Sequence, residues 1–366
     1  VNLLLYSPAF APSVGGLESV VAMLAEGFAR AGHRVTVVTT TPADGPDRSA
    51  ASDREGSALY RVVRNPGPLR LLRLVHRCDV FFQANVSLKG LWPLLLLRRP
   101  WVVSHHSWYC QSDGRITWRD RLKRRLLRRA AASIAVSRAV ADDLDTPSVV
   151  IENPYRDDLF RRLPEIPRDR ELVFLGRLVS DKGCDLLLEA LGRLDARGVR
   201  PRLTLVGTGP EEAPLRRRIT ALGLDDRVEL AGRAGGEALV RVLNRHRVLV
   251  APSRYNEPFG IVALEGLACG CLAVGSAGGG LADAIGPGGW VFPNGDVDAL
   301  ADLLEAVLDG RLAPPAPEVV AGHLARHTRT VVSGRYLEVL RQVVGESAPP
   351  GRPERTSEDS VPPSAP

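Results

Sequence analysis

Short apolar runs recur along this chain, and between them apolar residues return at helical spacing. Residues 3–6 read as a buried strand, after which Leu17, Val20, Val21, Leu24 and Phe28 mark one face of a helix that Gly32 ends. Residues 35–39 are the next strand, and 59–63, 80–83, 101–104, 133–136 and 149–151 continue the series. A second series starts near Glu171, with strands expected at 172–175, 203–206, 228–230, 248–251, 272–274 and 290–292 and helical patterns between them. Strands that alternate with helices are joined by crossovers, so they form mainly parallel sheets covered on both faces. The expected fold class is α/β.

Two such series in 366 residues fit two domains of roughly 100–200 residues each. Residues 155–170, with Pro164, Pro167 and many charges, read as the connection. A last helical stretch is expected at 330–344. Residues 347–366 hold six prolines and almost no large apolar side chain, which predicts a disordered tail.

Apolar residues make up 45% of the chain and charged ones 25%, which excludes a disordered, collagenous or disulfide-stapled class. Five scattered cysteines point to a reducing, cytoplasmic setting. No secretory leader or membrane span is read; the longest apolar run, 91–97, contains Pro93 and is far short of the ~20 residues a span needs. Against 42 acidic residues stand 48 basic ones, a net charge of +6 that selects no ligand by itself. Only Lys89, Lys123 and Lys182 among these are lysines, so each lysine is informative where an arginine is not.

Several motifs point away from chemistry. Gly207-Thr208-Gly209 follows a strand, but Glu212 replaces the third glycine of a dinucleotide fingerprint, leaving a tight strand-to-helix turn. His323 and His327 lack the glutamate of a zinc-protease helix and read as a solvated pair. Asp143-Leu144-Asp145 and Asp296-Val297-Asp298 look like metal-binding carboxylate pairs, yet Asp296 directly precedes an apolar helical pattern and suits a helix cap.

Three segments carry more. In residues 250–275 an apolar strand gives way to a polar loop, and Glu257-Pro258-Phe259-Gly260 is expected to open a helix whose N-terminus faces an anion. Glu265, eight residues on and close to two turns away, would reach the same side of the cleft. In residues 174–185, Arg177 and Lys182 flank a strand-to-helix loop where two cations can neutralise a diphosphate. Gly15 and Gly16, between the first strand and first helix, allow backbone N–H groups to approach phosphate oxygens.

Taken together and in order, these segments resemble the family 4 glycosyltransferases of the GT-B architecture. EPFGIVALE is similar to the family's Glu-x7-Glu motif, FLGRLVSDKG to its Gly-Arg/Lys-Gly loop, VGTGPEE to its glycine turn and VGGLE to its N-terminal glycine loop. The resemblance runs from Leu3 to about Val344. It implies two facing Rossmann-like domains, 1–165 and 166–327, with a helix at 328–345 returning to the first and the active site in the cleft between them. It also implies a metal-independent, retaining transfer of a hexose-type sugar from a UDP- or GDP-sugar, without cofactor. Arg177 and Lys182 would hold the diphosphate, Glu257 the sugar hydroxyls, Glu265 the ribose, and Phe259, Gly260 and Ile261 would offer backbone contacts. Gly15 and Gly16 would approach the diphosphate from the other domain. His106, or its neighbour His105, occupies the family's histidine position beside the reacting sugar. Ser107 and Asp283 depart from the family's usual acidic residues at their positions.

The acceptor side is less defined. Residues 115–138 are strongly basic, with Trp118, Leu122, Leu126 and Leu127 interleaved among arginines. They suit either peripheral contact with an anionic membrane, and so a glycan or lipid-linked acceptor, or an ordinary solvated helix and a small-molecule acceptor. A nucleotide-sugar epimerase of the same architecture is the enzymatic rival. A nucleic-acid-binding protein would leave the glutamates and the Arg/Lys loop unexplained, so no nucleic-acid partner is expected.

Overall fold

A computed structural model describes residues 1–13, 15–43, 59–110 and 115–345; the predicted tail at 346–366 lies outside the described residues. Two parallel sheets form the frame. The first contains β1 (Asn2–Ser7), β2 (Arg34–Thr39), β3 (Arg61–Arg64), β4 (Val80–Ala84), β5 (Trp101–His105), β6 (Ala132–Ala135) and β7 (Val149–Val150), in the order β3-β2-β1-β4-β5-β6-β7. The second contains β8 (Arg170–Leu175), β9 (Leu203–Val206), β10 (Val228–Gly232), β11 (His246–Ala251), β12 (Leu272–Ser276) and β13 (Gly289–Phe292), in the order β10-β9-β8-β11-β12-β13. Each run expected from the apolar pattern is a strand here, displaced by at most two residues.

Both orders reverse once, between β1 and β4 and between β8 and β11. In doubly wound sheets such a reversal opens a crevice at the carboxyl ends of the strands, where ligands bind. Every helix start that follows a strand therefore lies on the cleft side of its own sheet.

In the first lobe the crossovers are α1 (Gly16–Arg30), α2 (Pro68–Arg77), α3 (Leu88–Leu91), α4 (Trp118–Leu127) and α5 (Arg138–Asp143). In the second they are α6 (Cys184–Ala196), α7 (Glu212–Ala221), α8 (Gly236–Arg245), α9 (Ile261–Ala268), α10 (Leu281–Ile285) and α11 (Val297–Leu308). The basic stretch 115–138 is therefore not one helix. Ile134 and Ala135, fully buried, belong to β6, Arg138 opens α5, and otherwise only the ten residues of α4 are helical, started by a capping box between Thr117 and Asp120.

Two last helices, α12 (Pro317–Ala325) and α13 (Arg329–Val344), close the chain. α13 returns to the first lobe and packs on α1. Its Tyr336 is fully buried, with ring centroids 6.5 Å from Phe28 and 6.0 Å from Phe82. Burying a side chain of that size contributes about 2–3 kcal/mol, so this helix is part of the first core and not an appendage.

The histidine pair between α12 and α13 is buried, not solvated: His323 is 3% and His327 0% exposed. His323 Nε2 meets the Ala284 carbonyl at 3.0 Å, and His327 Nε2 meets Glu152 Oε2 at 2.9 Å. The interdomain path folds back over both rings, which a helical-spacing argument from α12 alone does not anticipate. Asp296 caps α11, accepting from the Ala299 N–H at 2.9 Å. Asp143 and Asp145 both face the Arg124 guanidinium, at 2.7 and 3.8 Å. Among the described residues no cluster of three or more His, Cys, Asp or Glu could hold a metal, and no helix is long and apolar enough to cross a membrane.

Candidate functional site

The sequence-singled residues converge on the two switch points. Gly15 and Gly16 follow β1, Arg177 and Lys182 follow β8, and Glu257 follows β11. His106 follows β5 on the same side of the first sheet.

Contact between the β8 and β11 loops is made backbone to backbone. Gly183 has φ +67°, and a Cβ there would overlap the Pro252 carbonyl oxygen, so only glycine satisfies both demands. The Asp181 carbonyl accepts from the N–H groups of Arg254 at 2.9 Å and Tyr255 at 3.3 Å. Lys182 is thereby held beside Glu257: its ammonium pairs with Glu257 Oε1, which also accepts from Ser253 Oγ at 2.6 Å. Arg177 sits at the start of the same loop, exposed and without an ion pair among the described residues. The glycine turn after β9 supports that loop from behind. Leu178 N donates to the Thr208 carbonyl, and Cβ atoms at Gly207 or Gly209 would overlap the carbonyls of Gly176 and Leu178. Those glycines serve close packing, as their broken fingerprint implies.

Glu257 does not open a helix. Pro258 follows it and Gly260 adopts φ +104°, so α9 begins only at Ile261. Glu257 instead bridges to Gly279, and its carbonyl accepts from Gly280 N at 2.7 Å. Glu265 thus lies in the second turn of α9, and the two-turn spacing argument does not apply; the loop, not helical periodicity, turns Glu257 toward Lys182. Phe259 points its side chain into the core, 2% exposed and 5.9 Å from the His327 ring, leaving only its backbone for a ligand. Ile261 packs against the cores of both lobes, and a Cβ on Gly16 would stand 3.8 Å from Ile261 Cδ1. The N-terminal glycine loop and the start of α9 therefore face each other across the cleft.

Burial in that cleft pushes the Glu265 carboxyl up from 4.5 to about 8, with the Arg156 guanidinium opposing the shift. Arg156 is itself fixed by Asp158, at 2.6 and 2.8 Å. On the other wall, Gly15 is extended before α1, and Glu18 folds back over it while accepting from Ser13 Oγ at 2.9 Å. A phosphate at Gly15 requires that carboxylate to turn away.

The two adjacent histidines separate cleanly. His105 ends β5 and is fully buried, with Nδ1 2.7 Å from Tyr109 Oη and Nε2 2.9 Å from Ser133 Oγ; desolvation lowers its pKa to about 3. His106 is partly exposed beyond the strand end. Its N–H donates to Asn85 Oδ1 at 2.7 Å, and its Nε2 meets Ser104 Oγ at 2.7 Å. Burial lowers this imidazole to about 4, partly offset by Asn153. Asn85 holds φ +64°, an uncommon state for a non-glycine residue that Asn tolerates best.

The sequence reading missed Asn85, Ser104, Ser253 and Arg156, which hold the candidate residues, and Trp108, whose Nε1 donates to the Asn256 carbonyl at 2.6 Å across the cleft. Small polar residues directly after apolar strands, as in 84–85 and 251–253, are the signal that marks Asn85 and Ser253. Nothing local marks Trp108, whose partner Asn256 is distant in sequence, or the approach of Arg156 to Glu265.

Comparison with known proteins fits this geometry. Residues 14–157 match the Glycosyltransferase Family 4 profile and residues 156–318 the Glycosyl transferases group 1 profile. An alpha-D-kanosaminyltransferase of Streptomyces kanamyceticus is 33% identical over 70% of this chain and 73% of the relative. This chain belongs to the family 4 glycosyltransferases. An uncharacterised glycosyltransferase of Methanocaldococcus jannaschii is 28% identical, covering 81% of this chain and 85% of the relative. The D-inositol 3-phosphate glycosyltransferase of Mycolicibacterium smegmatis is 34% identical, but the match covers only 46% of this chain and 40% of that protein. Among solved structures, Anabaena HepE in complex with UDP and glucose superposes with a TM-score of 0.77 at 21% identity, over 93% of this chain and 99% of that one. The glycosyltransferase thus has the GT-B fold: two Rossmann-like lobes facing across a cleft.

Proposed function

We propose that this glycosyltransferase moves a hexose-type sugar from a UDP- or GDP-sugar to an acceptor hydroxyl, with retention of anomeric configuration and without a metal. The observation that carries the reading is the Lys182–Glu257 pair at the β8/β11 switch point, with Gly16 facing the start of α9 across the cleft. Residues 1–165, with the returning helix 328–345, take the acceptor side, and 166–327 take the donor.

As the glycosidic bond breaks, negative charge grows on the β-phosphate. Lys182, held beside Glu257, and the N–H groups at 260–261 meet that charge with little reorganisation, and Arg177, exposed at the start of the same loop, adds a second cation. Glu257 shares the Lys182 ammonium until the diphosphate arrives and then orients sugar hydroxyls. Glu265 meets the ribose, and His106 stands beside the sugar from the acceptor side. With no carboxylate assigned as nucleophile, the acceptor attacks on the face the leaving group departs from, and the diphosphate oxygen takes the acceptor's proton.

A thermal-shift panel of UDP, GDP and their sugars, followed by transfer assays with and without EDTA, tests the reading. Stabilisation by one nucleotide series and EDTA-insensitive turnover are expected. No stabilisation by any of them, loss of activity in EDTA, or a glycosyl-enzyme intermediate trapped on a carboxylate would each overturn the corresponding part. Incubation of the donor alone should yield no epimer.

A further inference from the structure

An apolar cavity lies outside the cleft. It is an open groove of about 420 Å³ on the first lobe, between the 88–97 segment and α4, floored by Trp101 and walled by Leu91, Leu94, Leu97, Leu122 and Leu126. That volume is within the range of small-ligand sites. The walls are apolar and the rim is cationic: Arg98, Arg99 and Arg129 close its edge. Leu95, Leu96 and Trp118 stand beside it, 75%, 70% and 67% exposed, where a solvated face would carry polar side chains.

Charge selects the occupant. Segments 88–101 and 115–138 together carry twelve lysines and arginines against one acidic residue, Asp120, which is consumed in the α4 cap. This excess is larger than the +6 of the whole chain, so the remainder is net acidic. Arg119, Arg121 and Arg125 are exposed on α4, and Arg128 and Arg129 are exposed just beyond its end. An apolar slot ringed by cations matches a molecule with an apolar chain and an anionic head. It does not match a second copy of the same basic face, which would bring like charges together, nor a nucleic acid, which has no use for the leucines.

We propose that this groove receives one acyl chain of an anionic phospholipid, with the phosphate held by Arg98 and Arg129, so that the first lobe docks on an anionic bilayer through α4 and the 88–97 segment. The proposal does not depend on the donor assignment.

Sedimentation with vesicles of phosphatidylglycerol or of phosphatidylcholine, at low and at physiological salt, is the first test. Preferential binding to phosphatidylglycerol is expected, falling about tenfold or more on raising salt. Phosphatidylglycerol brominated in its acyl chains should quench tryptophan fluorescence, because Trp92 and Trp101 line the groove. Both Leu95→Asp with Leu122→Asp, at exposed positions, and Arg98→Glu with Arg129→Glu should abolish quenching while keeping wild-type Tm and UDP- or GDP-induced thermal shift. Absence of vesicle binding, binding without quenching, quenching retained in the leucine variant, or a concentration-dependent dimer that the leucine variant loses would overturn the proposal.

Discussion

Replacing Glu265 by Gln should stabilise the ligand-free protein while weakening nucleotide binding. In the folded state the Glu265 carboxyl is pushed from 4.5 to about 8, because the cleft desolvates it and the opposing attraction of Arg156 does not compensate. A carboxyl with a raised folded pKa is at full advantage below its unfolded value. As pH climbs from 4.5 toward 8 the unfolded chain ionises and the folded one does not, so stability falls by about 1.4 kcal/mol per pH unit and levels off above 8. Read at neutral pH, that is about 3 kcal/mol. The side chain keeps some contact with water, so about 1–3 kcal/mol is the expected gain for the isosteric amide.

The assay is urea unfolding of wild type and Glu265→Gln, followed by tryptophan fluorescence across pH 5–9. The two should nearly coincide at the acid end and diverge steadily, with the variant the more stable. Titration with the nucleotide chosen by the thermal-shift panel should show about a tenfold loss, the size of one lost hydrogen bond from a ribose hydroxyl. A stability difference independent of pH, or a variant less stable at pH 8, would refute the burial argument. Unchanged nucleotide affinity would refute the ribose assignment and leave the burial argument standing.

Lys182→Ala should lower kcat/KM by roughly 100–1,000-fold, as for removal of a preorganised charge-stabilising group, with Tm near wild type; a loss under tenfold contradicts its phosphate role. Gly183→Ala should cost about 2 kcal/mol or more, because it places a side chain at φ +67° against the Pro252 carbonyl, and differential scanning calorimetry reads this as a lower Tm. Trp108→Phe removes the N–H that reaches Asn256 and should cost the closed arrangement about 1 kcal/mol. Small-angle scattering with saturating nucleotide should then show a larger radius of gyration than wild type, and equal radii would contradict a clasp.

The strands were legible because most contain a short apolar run, and the central ones, β1, β4, β5, β9 and β11, are buried almost throughout, a local property of sequence. Gly183 and Gly260 were legible as loop glycines, yet the demands placed on them come from Pro252 and Leu281, far along the chain. Glu257 was found in the wrong local structure for the same reason. A Pro and a helical apolar pattern look like a helix start, and only the φ of Gly260 delays that start by several residues. His323 and His327 fail more fully: their burial is made by Glu152, Ala284 and Phe259, on three separate segments.

Phe259, one residue before Gly260, lies against His327; the His327 carbonyl accepts from Tyr155 N at 3.1 Å; and Arg329 N donates to Asp157 Oδ1 at 3.0 Å. The crossing at 151–160 and the return at 326–329 are thus tied to each other and to the donor loop. Ile261, the next wall of the loop, packs into the first lobe as well as the second. A movement of one lobe on the other must therefore pass through the residues that present the backbone N–H groups at 260–261. If those groups meet the leaving phosphate as proposed, closing the cleft and aiming them are one motion.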